Sequence, residues 1–115
     1  MTGDELAALL ARGEEVQILD VRSQAEYDGS GGYPCDPRQG HIPGAVNIDV
    51  AELAEASGNL TALLRERGVD PTGRVVCYCH SGSRSAYATA ALVAAGVTAE
   101  NYEGSWHEWS RRGSS

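Results

Sequence analysis

Apolar residues in this chain fall into short blocks with two rhythms. Leu6, Leu9 and Leu10 recur at helical spacing, as do Leu60, Leu63 and Leu64. Each set predicts a helix with one face turned to a core. Val16-Gln17-Ile18-Leu19-Asp20-Val21 and Arg74-Val75-Val76-Cys77-Tyr78 are compact and rich in β-branched residues, and predict strands. Polar punctuation separates the blocks. Thr2-Gly3-Asp4-Glu5 fits a capping box, and Gly13 ends the first helix. Arg22 and Glu26, four apart at the start of a short helix, are expected to pair. Asp28 to Gln39 is polar and rich in Gly and Pro, and reads as a surface loop. A turn and strand follow over Ile42–Ile48, then a helix over Val50–Ala56. Asn59 is expected to cap the next helix, Leu60–Arg67, and Gly68 to stop it. After an alanine-rich helix, Ala86–Ala95, comes a last strand, Thr98–Tyr102, and a short helix carrying Trp106 and Trp109. Helices and strands in alternation predict an α/β domain, with a parallel sheet covered on both faces.

Ligands in such folds bind outside the carboxyl ends of the strands. Asp20, Cys79 and Gly104 fall at such ends. Cys79 also stands just before a helix, where unpaired amides and a positive dipole converge. A thiol there ionises below the usual value of roughly 8.5, and the thiolate is the nucleophile. Gly82 allows close approach, and Ser81, Ser83 and Ser85 leave room for a ligand. Arg84 adds a positive charge able to fork onto an oxyanion. These features favour a catalytic Cys79 over an inert strand-end cysteine.

Composition narrows the setting. A chain of 115 residues makes one domain. No apolar run approaches the roughly 20 residues of a membrane span, and Met1 to Arg12 does not read as a signal peptide. The formal charge is −7 without a single lysine, which argues against nucleic acid. Any affinity for anions must therefore be local. Three cysteines do not make a disulfide framework, so a cytoplasmic location is expected. No second Cys/His cluster shows zinc spacing, and no metal or other cofactor is expected. Cys77 and Cys79 should share a strand face. Cys35 reads as an incidental loop thiol, with a resolving partner for Cys79 as the less favoured reading.

Cys79-His80-Ser81-Gly82-Ser83-Arg84-Ser85 resembles the active-site loop of rhodanese-type sulfurtransferases. Gly40-His41-Ile42-Pro43-Gly44-Ala45 and Leu19-Asp20-Val21-Arg22-Ser23 agree with that family. Asn101-Tyr102-Glu103-Gly104-Ser105-Trp106-His107-Glu108-Trp109 resembles the C-terminal signature of thiosulfate sulfurtransferases. The resemblance covers nearly the whole chain. It implies a mostly parallel sheet of four to five strands and a persulfide on Cys79. His80, Ser81, Gly82, Ser83, Arg84 and Ser85 would bind substrate, and Trp106 would wall the mouth of the site. Asp20 and Arg22 would form a structural hydrogen-bond network, and His41 would bond to backbone. Partners would be a small thiosulfate-like anion and a thiol or cyanide acceptor. The long link before Gly40 resembles the catalytic half of two-domain enzymes. With the chain stopping at Arg111-Arg112-Gly113-Ser114-Ser115, this suggests a domain excised from a longer chain with a second such domain.

The donor is expected to be thiosulfate, because Gly82-Ser83-Arg84-Ser85 resembles the thiosulfate-active group. His80-Ser81 matches neither that preference fully nor the 3-mercaptopyruvate one. Some thiosulfate-using members carry an arginine where Glu26 stands, so that contact is in doubt. A phosphatase or arsenate reductase of the same fold is a weaker reading. Those enzymes place five residues between Cys and Arg, and four stand here. A non-catalytic binding module is weaker still, because the cysteine is retained.

Overall fold

The computed structural model describes residues 1–13 and 15–112. Gly113–Ser115, part of the tail singled out above, lie outside them. Element order is α1 (Gly3–Ala11), β1 (Gln17–Asp20), α2 (Gln24–Asp28), β2 (Val46–Asn47), α3 (Val50–Glu55), α4 (Leu60–Glu66), β3 (Arg74–Tyr78), α5 (Ser83–Ala94), β4 (Thr98–Asn101) and α6 (Ser105–Trp109). The four described strands form one parallel sheet in the order β2-β1-β3-β4. No helix among the described residues is long and apolar enough to cross a membrane.

The period of two along the strands sorts the core into two layers. Leu19, Val75, Cys77 and Cys79 face one way, against Leu53, Leu60, Leu64, Ala88 and Leu92 of α3, α4 and α5. Ile18, Val76 and Tyr78 face the other way, against Leu6 of α1 and Trp106 and Trp109 of α6. Leu64 and Leu92 are fully enclosed, so cutting either to alanine costs about 2–5 kcal/mol.

Local chemistry sets the helix starts. The Thr2 hydroxyl accepts from Glu5 N and the Glu5 carboxylate accepts from Thr2 N, as the sequence pattern predicts. Ser23 and Glu26 make a second such box at α2. Asn59 occupies the capping position of α4, but its side chain makes no capping bond. The expected Arg22–Glu26 pair does not form either. Arg22 is drawn to Asp20 instead, with Nη2 2.7 Å from Oδ2.

Candidate active site

Strand β3 ends at Tyr78, and the chain turns through Cys79-His80-Ser81-Gly82 into α5. Gly82 makes the turn possible. Its φ is +99°, and a Cβ there would lie 2.7 Å from Glu103 O. A side chain would meet rigid backbone as well as an unfavourable dihedral. The turn curls donors around the sulfur. Gly82 N lies 3.1 Å from Cys79 Sγ, and Ser85 N and Ser85 Oγ each lie 3.4 Å from it. The twelve-residue α5 points its N-terminus at the same place.

Burial opposes ionisation of this thiol. The Ser85 hydroxyl and the amides of Ser85, Gly82 and Ser81 outweigh it, and hold Cys79 below the ordinary thiol range. Cys77 shows the contrast on the same sheet face. Burial dominates there and pushes the thiol up to about 11. Cys79 is also enclosed, at 1% exposure. The open mouth implied by the resemblance is therefore closed. One surface depression beside this loop is lined by Val50, Ala51, Ala54, Ser83, Arg84 and Tyr87.

The free cation expected at Arg84 is occupied. Its guanidinium forks onto Glu26, Nη1 to Oε1 at 2.8 Å and Nη2 to Oε2 at 3.1 Å. Burial would raise the Glu26 pKa, but the Arg84 fork and the bonds from Ser23 lower it to about 2. Arg84 stays near enough to Cys79 for the two charges to interact.

The other loop residues divide. Ser85 is buried against the sulfur, while Ser81 and Ser83 are exposed. His80 sends its side chain away from Cys79. Its Nε2 meets Asp36 Oδ2 at 3.0 Å, and its ring stacks on Tyr33 with centroids 3.8 Å apart. Trp106 does not wall a mouth. It packs on the opposite face of the sheet from Cys79, with Nε1 donating to Arg38 O at 3.0 Å and Arg22 over its ring at 5.2 Å. The side chain packs instead in the layer of Tyr78 and Tyr102, so the ring is turned away from the sulfur.

Below the loop, Asp20 and Arg22 are buried and doubly bonded. Tyr78 Oη donates to Asp20 Oδ2 at 2.6 Å and accepts from Ile42 N at 3.0 Å. Arg22 Nη2 also donates to Gly40 O at 2.6 Å. His41 Nδ1 lies 2.8 Å from Tyr27 O, and the two rings stack.

Sequence reasoning put Ser105 in a turn near the Cys79 loop without a role, and passed over Asp36 and the Glu26–Arg84 fork. Ser105 adopts φ +55°. Its hydroxyl accepts from Cys79 N at 3.1 Å and donates to Tyr102 O at 2.8 Å, tying the loop to the residue that follows β4. A serine after glycine at a strand end was the available signal. Asp36 and Glu26 had none, since their partners are 44 or more residues away.

A parallel α/β sheet with a donor-ringed thiol at the end of a central strand defines a cysteine-loop α/β domain. The family model "Rhodanese-like domain" matches residues 2–112. "Putative thiosulfate sulfurtransferase SseB" of Mycobacterium tuberculosis is 41% identical over 111 residues, covering 91% of this chain and 39% of that protein. A crystal structure named "Probable Thiosulfate Sulfurtransferase" superposes with TM-score 0.76 at 43% identity, covering 95% of this chain and 43% of that one. The human single-domain sulfurtransferase TSTD1 superposes with TM-score 0.74 at 32% identity, covering 99% and 96%. The chain belongs to the rhodanese-like domain family. It spans about two fifths of the length of the curated relatives it matches.

Proposed function

We propose that this domain transfers sulfane sulfur through a persulfide on Cys79. The Cys79 thiolate attacks the outer sulfur of thiosulfate. The S–S bond of the donor breaks, sulfite leaves with the bonding pair, and the sulfur remains on Cys79 as a persulfide. An acceptor thiolate or cyanide then attacks the terminal sulfur, and Cys79 leaves as the thiolate. The acceptor becomes a persulfide or thiocyanate.

The observation that carries this reading is the ring of donors on Cys79 Sγ. It stabilises the thiolate before the first step and negative charge on the bound sulfur after it. No metal or cofactor is needed for either step. Because Arg84 is paired with Glu26, donor capture falls first to the loop and the end of α5. Because Cys79 is enclosed, a donor reaches it only when side chains over the loop move aside. The names of the relatives favour thiosulfate over 3-mercaptopyruvate. A domain within a longer chain, as in the longer relatives, is part of this reading, and the single-domain TSTD1, matched over 96% of its length, gives the alternative. Three free cysteines fit a reducing, cytoplasmic setting.

Intact mass after incubation with thiosulfate tests the mechanism. A gain of one sulfur atom, reversed by cyanide and absent in Cys79→Ser, is expected. No gain, or a gain that survives Cys79→Ser, overturns it. Steady-state turnover with both donors decides between thiosulfate and 3-mercaptopyruvate.

A further inference from the structure

We propose that Cys35, Asp36 and His80 bind a divalent transition-metal ion of the zinc class beside the Cys79 loop, with His107 as the neighbouring imidazole that would have to swing in to complete the set. Cys35 Sγ, a carboxylate oxygen of Asp36 and a ring nitrogen of His80 all lie within 4.8 Å of one another. His107 Nδ1 is 3.9 Å from Asp36 Oδ1, and its ring stands edge-on to His80 with centroids 5.5 Å apart. Thiolate, imidazole and carboxylate are the donor set that zinc takes in fours. The residues come from three separate segments, so no sequence spacing reveals them.

The cluster is partly held in place already. The Asp36 side chain is 1% exposed, and its Oδ1 accepts from Arg111 Nη1 at 2.8 Å. Arg111 Nη2 also donates to Cys35 O at 3.1 Å. Tyr33 stacks on His80 and fixes its ring plane. Zinc–ligand bonds of about 2.0–2.3 Å put neighbouring donors roughly 3.5 Å apart. Closing from 4.8 Å takes about 1 Å of movement, and the exposed Cys35 side chain, outside any disulfide, is the ligand that would supply it. Arg111 opposes the ion by its charge; the thiolate and the Asp36 carboxylate offset this.

Binding requires two proton changes. Cys35 loses its proton to solvent as the sulfur–metal bond forms. His80 Nε2, which now donates to the Asp36 carboxylate, must present its lone pair, so the neutral ring carries its proton on Nδ1. Affinity therefore rises with pH. Since His80 follows Cys79 directly, an ion here would fasten the Asp28–Gln39 loop to the nucleophile loop.

The site stands independently of the sulfur-transfer reading, and its test needs no turnover. The metal-free protein is titrated with zinc, the excess is removed by gel filtration, and retained metal is counted. Cobalt(II) is then added to a fresh sample and followed by absorbance. The expected result is one ion per chain and a thiolate-to-cobalt charge-transfer band. Cys35→Ser should lose both, Cys79→Ser should keep both, and His107→Ala should weaken binding by about tenfold or more. Cys35 and His107 are exposed, so these variants fold; circular dichroism checks this. No retained ion, an unchanged count in Cys35→Ser, or a band that disappears in Cys79→Ser overturns the assignment.

Discussion

Replacing Glu26 by glutamine isolates the contact that occupies Arg84. Glutamine keeps the shape and can still serve the Ser23 capping box, so the change removes chiefly the charge. A pKa held at about 2 against 4.5 corresponds to about 3 kcal/mol at neutral pH. That is an upper figure, because the Ser23 bonds supply part of it and glutamine retains some of them. Arg84, at 32% exposure, regains water when its partner is lost. A loss of about 1–3 kcal/mol is expected. The folded pKa is depressed, so the stabilisation is complete above the unfolded value near 4.5. It disappears as the pH falls toward 2. Urea unfolding of both proteins from about pH 7 to about pH 2.5 should show a gap that closes below about pH 4.5. A gap that stays constant with pH, or none at neutrality, refutes the reasoning. The same variant carries a second readout. Were the freed guanidinium to come within about 6 Å of a dianionic donor, the attraction would be about 1.4 kcal/mol even at the dielectric of water, or roughly tenfold. kcat/KM for thiosulfate should rise by about that factor. If it does not, Arg84 plays no part in donor capture.

Three further outcomes follow from the same geometry. Ser85→Ala removes the hydroxyl 3.4 Å from Cys79 Sγ; the pH midpoint of Cys79 alkylation should move up, and sulfur loading at neutral pH should fall. Gly82→Ala forces a Cβ against Glu103 O at φ +99°; a loss of at least about 2 kcal/mol, read by urea unfolding, is expected with loss of sulfur loading. Tyr78→Phe strips the donor from Asp20 Oδ2 and the acceptor from Ile42 N. This should cost about 2–4 kcal/mol in chemical denaturation, and a change under 0.5 kcal/mol would contradict the network.

The sequence exposed what depends on neighbours along the chain. The spacing of Leu6, Leu9 and Leu10, the Thr2–Glu5 box and the strand-loop-helix around Cys79 rest on local periodicity and capping, and they appear in the fold. What it hid depends on side-chain partners distant in the chain. Arg22 and Glu26 satisfied a helical spacing rule, yet each had a better oppositely charged neighbour in space. Trp106 belonged to a motif placed by strand order near the loop, but packing of α6 set its ring in the far layer. His80 was adjacent to the nucleophile, and backbone direction turned it to Asp36. Enclosure of Cys79 was illegible for the same reason, because a motif names residues but not what covers them.

The last helix does more than fill a layer. Trp106 N donates to Cys79 O and His107 N to His80 O, both at 2.9 Å, and Ser105 holds the Cys79 amide. During synthesis, Cys79 therefore leaves the ribosome before the braces on its own backbone have been made. Its nucleophilic state should mature late, when α6 docks. A nascent or clipped chain lacking that helix would carry the thiol on a loop whose backbone is not yet braced.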